Sequence, residues 1–387
     1  MGLVARSERG AVEPAGKRRP QRPGARRSER ARRATRPPRA DPPATRETTV
    51  TASDGVRLHV TEAGPRDAAL TLVFVHGFCM TADAWRFQRR DLADLGRTVC
   101  YDQRAHGRSG PSDVEHCTIA QLADDLHRVL DDRVPTGPVV LIGHSMGGMT
   151  ILGLAETHPE LFGDRIIAVA LLSTSAGELT RLAFGLPATV TAAARRVLPG
   201  VAVGMQHAPS LLERIRWRGS TLSRALTRRL GFGATQVPEP VVDSLEEMIA
   251  STPIPVVGAF LPTLLDHDRL AAAGVLRDVP TLLLVGDADV MTPLEHSRTL
   301  AEALPKAELS VEQGAGHAVI LERPHEVSTR IRELIARARP ARRACRPRTK
   351  PTLRTPTAGR ASARARTHRT STPTPPAGRG PGADSAA

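Results

Sequence analysis

Val139-Val140-Leu141-Ile142-Gly143-His144-Ser145-Met146-Gly147-Gly148 is the stretch that decides the fold. Its first four residues are large and apolar, three of them β-branched, and read as a strand buried on both faces. From Met146 to Thr157 the pattern turns helical. Between the two lies G-x-S-x-G, and in that setting the motif is a nucleophile elbow. Its small glycines permit a sharp strand-to-helix turn that lifts the serine hydroxyl out of the sheet. The amides after the serine open a helix and aim their N–H groups at negative charge developing beside it. With 32 glycines in 387 residues the bare motif is weak, so its weight comes from the flanking strand and helix.

The same alternation extends outward. Thr48–Ala52 and Val56–Glu62 flank Ser53-Asp54-Gly55 and read as a β-hairpin. Leu70–Val75 is an apolar strand ending in His76-Gly77, and a helix is expected over Ala84–Leu95. Arg97–Tyr101 is a strand, Ile119–Asp132 a helix with Leu122, Leu126 and Leu130 on one face, and Ile166–Leu172 a strand. Further on come the strand Thr281–Val285, the helix Leu294–Leu304, the strand Glu308–Val311 and the helix His325–Ala338. Such repeats require a mostly parallel sheet covered on both faces, an α/β architecture. The core therefore spans 48–176 and 276–338. The stretch 177–275 lacks strand alternation and is cut by eight prolines into short helical pieces. It leaves the strand edge at which open α/β sheets bind ligands, so a helical cap or lid is expected.

A serine nucleophile needs a base, and the base needs an orienting carboxylate. Of 13 histidines, His317 stands in the small-residue loop Gly314-Ala315-Gly316-His317 after the last strand, at the sheet edge where Ser145 emerges. His296 and His325 fall on surface helices, and His144 is expected to point away from its neighbour Ser145. Asp289, in Gly286-Asp287-Ala288-Asp289 after strand 281–285, is the acid candidate, with Asp287 as rival. For the oxyanion hole, His76-Gly77-Phe78 supplies the Phe78 N–H beside that of Met146, with His76 as a loop brace. Cys79 reads as a buried structural thiol.

Charge is unevenly placed. Residues 1–47 hold 14 Lys+Arg and 5 acids, and 338–387 hold 12 and 1, so the 290 residues between carry 28 bases and 34 acids, net −6. Both ends are rich in Arg and Pro, poor in apolar residues and free of aromatics, so disordered tails are expected at 1–47 and 339–387. An acidic core and tails without stacking side chains argue against a nucleic-acid binder, although phosphate neutralisation by the arms stays open. Arg supplies 51 of the 54 basic residues, which points to GC-rich coding sequence. Four cysteines without CxxC or metal-like spacing fit neither a disulfide scaffold nor a zinc module. The two longest uncharged stretches are broken by proline, and no apolar h-region follows Met1, so a cytoplasmic location without a transmembrane segment is expected.

The motifs together resemble the α/β-hydrolase fold superfamily over about residues 48–338. His76-Gly77-Phe78 is similar to its oxyanion loop, and Asp102-Gln103-Arg104-Ala105-His106-Gly107-Arg108-Ser109 to its D-x-R-G-x-G-x-S loop, with Ala105 where glycine is usual. Gly143–Gly148 resembles its GHSMGG elbow, Gly286–Pro293 its acid loop and Gly314–His317 its histidine loop. The resemblance implies an eight-stranded, mostly parallel sheet flanked by helices, with a cap. It further implies an esterase- or lipase-like serine hydrolase using Ser145, Asp289 and His317, with Phe78 and Met146 amides as oxyanion donors. No cofactor or metal is expected, and the partner is a small-molecule acyl substrate. Serine at the elbow and Cys79 in place of proline disfavour epoxide hydrolase and dehalogenase chemistry. C–C bond hydrolase, thioesterase and cofactor-free haloperoxidase activities remain alternatives, as does a non-catalytic ligand-binding protein on the same fold.

Overall fold

A computed structural model describes residues 45–177, 221–233 and 236–338, together with residues 200, 204 and 205. The expected tail at 339–387, residues 1–44 of the tail at 1–47 and most of 178–220 lie outside the described residues.

Eight strands form one sheet: β1 Arg46–Thr51, β2 Arg57–Ala63, β3 Thr71–Val75, β4 Arg97–Tyr101, β5 Val139–His144, β6 Ile166–Leu172, β7 Thr281–Gly286 and β8 Glu308–Glu312. Their spatial order is β1-β2-β4-β3-β5-β6-β7-β8. Only β2 runs against its neighbours; β4, β3 and β5 to β8 pair in parallel. The α-helices with described bounds are α1 Arg86–Asp91, α2 Ile119–Arg133, α3 Met146–Thr157, α4 Thr221–Gly231, α5 Glu239–Ser251, α6 Ile254–Leu265, α7 Leu270–Ala273, α8 Leu294–Ala303, α9 Val319–Glu322 and α10 Pro324–Ala338.

The pleat explains the continuous apolar strands. Leu72 and Phe74 join one core with Trp85 and with Val327, Ile331 and Leu334 of α10. Val73 and Val75 join the opposite core with Leu126 and Leu130 of α2 and Ile151 and Leu152 of α3. The central strands are thus covered on both faces, whereas the edge strands β1 and β8 are partly exposed, and the parallel strands carry their following loops to one edge.

Several boundaries shift by one or two residues from expectation, and two differences have a visible cause. Strand β1 starts at Arg46, inside the tail expected at 1–47, because Arg46 Nη2 donates to the Gly64 carbonyl at 2.8 Å and lies 3.7 Å from the Glu62 carboxylate. The helix expected over 84–95 is a 3₁₀ turn, Ala82–Trp85, followed by the short α1. Trp85 is fully buried at φ −91°, ψ 9°, which ends one helix and starts the other. Among the described helices none is long and apolar enough to cross a membrane; α5 and α6 pass that test only as a pair bent by 92°.

Candidate active site

Ser145 sits where β5 becomes α3, at φ 52° and ψ −119°, a conformation that non-glycine residues rarely adopt. Surrounding bonds hold it there. The Ser145 N–H donates to the Leu172 carbonyl at 2.9 Å, and Thr174 Oγ1 donates to the Ser145 carbonyl at 2.7 Å. Gly147 is obligatory, because a Cβ there would lie 2.1 Å from the Val75 carbonyl oxygen. The first turn of α3 therefore packs directly on the end of β3.

Loops after β7 and β8 bring the other two candidates to the serine. His317 Nε2 lies 2.9 Å from Ser145 Oγ, and His317 Nδ1 lies 3.0 Å from Asp289 Oδ2. A carboxylate only accepts, so Nδ1 carries the proton and Nε2 presents a lone pair to the serine hydroxyl. Asp289 Oδ1 also accepts from the Met291 and Thr292 amides at 2.8 and 2.9 Å, and Oδ2 from the Thr292 hydroxyl at 2.8 Å. Burial opposes charge on this carboxyl, but His317 and the Thr292 donors outweigh it and hold it below the usual aspartate range. Asp287, the rival, points elsewhere: its carboxylate accepts from the Gly314 N–H at 2.6 Å and braces the histidine loop.

A family model described as alpha/beta hydrolase fold matches residues 71–324. The chain belongs to the alpha/beta hydrolase fold family. It is 28% identical over 281 residues to the non-heme chloroperoxidase CPO-A1 of Kitasatospora aureofaciens, a match covering 70% of this chain and 92% of that one. Among solved structures, the enol-lactonase from Burkholderia xenovorans LB400 matches with a TM-score of 0.60 and 24% identity, over 75% of this chain and 100% of that one. A malate-bound thermophilic esterase from Thermogutta terrifontis matches with a TM-score of 0.58 and 24% identity, over 76% and 99%. These last two are likenesses of fold. The expectation of a hydrolase stands with family membership.

Within this family fold the loop after β3, expected from the sequence to supply an oxyanion donor, is tightly braced. The Gln103 N–H donates to His76 Nε2 at 2.8 Å, so His76 Nδ1 carries the proton and donates to the Gly77 carbonyl at 2.8 Å. Burial pushes His76 down to about 4 and keeps it neutral. Gln103 Nε2 donates in turn to the His76 carbonyl at 2.7 Å. The Gly77 turn lies directly against Ser145: a Cβ on Gly77 would come within 3.2 Å of the serine Cβ. Next to it are Phe78, and across the elbow Met146 at the start of α3. Neither residue's N–H has a hydrogen-bond acceptor among the described residues.

Several supporting residues escaped the sequence reading. His144 points beneath the His317 loop, and its Nε2 lies 2.8 Å from the His317 carbonyl. Burial, reinforced by the nearby His317, pushes it down to about 3. Glu322 on α9 accepts from the Gly316 N–H at 2.8 Å and the Gly233 N–H at 3.1 Å, tying the histidine loop to the end of α4. Thr292 had a local signal, a hydroxyl three residues after an aspartate in a loop, and Arg104 stands in the D-x-R-G-x-G-x-S motif. Arg104 is fully buried and bidentate to Asp125, with both bonds at 2.7 Å, and anchors the loop that carries Gln103 and His106.

Proposed function

We propose that this chain is a serine hydrolase that cleaves a carboxylic ester or related acyl compound through an acyl-enzyme. One observation carries the reading: the unbroken hydrogen-bond chain Ser145 Oγ–His317 Nε2–His317 Nδ1–Asp289 Oδ2 at a strained strand-to-helix turn. His317 takes the proton as Ser145 Oγ attacks the carbonyl carbon. Asp289 keeps the tautomer that leaves Nε2 free and stabilises the imidazolium that forms. The Phe78 and Met146 amides receive the oxyanion. His317 then protonates the leaving alcohol, and a water activated by the same imidazole releases the acyl group.

Helices α4 to α6 belong to the insertion 177–275, and in this reading they cap the acyl pocket. Phe260 of α6 supports that role, its ring centroid lying 6.2 Å from that of Phe78. A cytoplasmic location goes with the reading, supported, among the described residues, by Cys100 and Cys117 being buried thiols outside any disulfide.

The test is hydrolysis of p-nitrophenyl esters from acetate to palmitate, wild type beside Ser145→Ala. Ser145→Ala should lose on the order of 10⁶ in kcat, the scale of a triad nucleophile. Full turnover by Ser145→Ala overturns the assignment.

A further inference from the structure

Not every buried imidazole takes part in this chemistry. His106, in the loop after β4, is 1% exposed. Its ring centroid lies 5.9 Å from that of Phe78, 5.4 Å from Phe260 and 5.5 Å from His76. Nδ1 is 2.9 Å from the Arg104 carbonyl oxygen, which can only accept, so Nδ1 carries the proton. Nε2 is then a bare lone pair, and nothing among the described residues donates to it. Native interiors rarely leave such an acceptor unpaired without a reason.

Its surroundings indicate the reason. Phe78 provides an oxyanion amide in the mechanism above, and Phe260 belongs to the insertion that covers the sheet edge. Ala105, Met146, Met149 and Ala259 complete an apolar cluster with them. The His106 ring therefore lies where the insertion meets the loop that carries Phe78. Burial first, then the neighbouring His76, pushes the ring down to about 3, so it stays a neutral acceptor rather than a cation for an anionic group. The Nδ1 bond to the Arg104 carbonyl accounts for one ring nitrogen and leaves Nε2 without a structural role.

We propose that His106 Nε2 accepts a hydrogen bond from the substrate, and that the enzyme selects esters carrying a hydroxyl or amide N–H near the scissile bond. This rests on the serine-hydrolase reading. The donor can stand on the acyl part or on the alcohol, and two pairs of probes separate these. They are p-nitrophenyl butyrate against p-nitrophenyl 3-hydroxybutyrate, and ethyl butyrate against 2-hydroxyethyl butyrate.

The measurement is kcat/KM for all four esters with wild type, His106→Phe and Ser145→Ala. Wild type should favour the hydroxylated member of at least one pair by about tenfold, the scale of one hydrogen bond. His106→Phe should bring that ratio close to one. Because the ratio is taken within each enzyme, a general loss of active protein cancels. Equal rates within both pairs for wild type overturn the proposal without any variant, which covers the case of a His106→Phe chain that does not fold. A preference that His106→Phe leaves unchanged also overturns it, with the hydrolase reading intact. Absence of Ser145-dependent turnover of every ester overturns the hydrolase reading and this one with it.

Discussion

His144 donates from Nε2 to the main-chain carbonyl of His317 across 2.8 Å, so the residue before the serine holds in place the histidine that faces the serine. Removing the imidazole leaves a buried carbonyl without its donor and opens space beneath the loop. In His144→Ala we expect a fall of about tenfold in kcat, KM within twofold, and a loss of about 1–3 kcal/mol in unfolding free energy. His144→Gln keeps an N–H donor and should recover part of kcat. Steady-state kinetics on p-nitrophenyl butyrate check this. An unchanged kcat in His144→Ala would mean that Glu322 and Asp287 suffice to position the loop through the Gly316 and Gly314 amides.

Acid should destabilise this fold through its histidines before its carboxylates protonate. Burial pushes His76 and His267 down to about 4, and His106 and His144 down to about 3. Unfolded, each titrates near 6.5. Below that value the unfolded chain takes up protons that the native chain refuses. The stability contributed by the neutral rings is therefore complete above about 6.5 and declines as pH falls toward 4. Each ring contributes a slope of up to about 1.4 kcal/mol per pH unit. Urea midpoints should drop steeply between pH 7 and pH 5, and His106→Phe should make the slope shallower by about one proton. A midpoint independent of pH over that range would show that these rings charge within the native state.

Thr292 ties the acid to the base. Its hydroxyl donates to Asp289 Oδ2 at 2.8 Å and lies 3.3 Å from His317 Nδ1. Thr292→Val keeps the shape but takes one donor from a buried carboxylate, raising its proton affinity and loosening its hold on His317. The expected cost is about 1 kcal/mol, or fivefold in kcat, with KM little changed. If kcat is unaffected, the Met291 and Thr292 amides suffice to fix the carboxylate.

What the sequence makes legible here is whatever is periodic or local. Strands β4 and β6 and helix α3 have the boundaries their apolar patterns predict, because each is covered on both sides and packing enforces the period. Ser145, Asp289 and His317 were readable from the order of strands, since parallel strands deliver their loops to one edge. His144 and Glu322 were not: their partners lie across tertiary contacts that leave no local pattern. Backbone conformation was equally hidden. Ala105 stands at φ 60°, so alanine in place of the usual glycine adds strain to the loop. Cys79 stands at φ 55°, which a proline ring cannot adopt, so the absence of proline there has a conformational cause.

The strain at Ser145 should be measurable as stability set against turnover. At φ 52° and ψ −119° a residue with a Cβ pays about 1–3 kcal/mol, and glycine is exempt. Ser145→Ala and Ser145→Gly both delete the hydroxyl and its bond to His317, so the difference between them isolates the backbone contribution. Glycine's greater freedom in the unfolded chain returns about 0.4–1 kcal/mol of the relief. Ser145→Gly should therefore be more stable than Ser145→Ala by about 1 kcal/mol, while both lose turnover alike. Urea denaturation of the two variants side by side is the check. Equal midpoints would mean that the strain only matches the about 0.4–1 kcal/mol that glycine loses through its freer unfolded chain. A Ser145→Gly midpoint below that of Ser145→Ala by this amount would mean that the bonds from Ser145 N–H to Leu172 and from Thr174 Oγ1 to the Ser145 carbonyl hold the turn without stored strain.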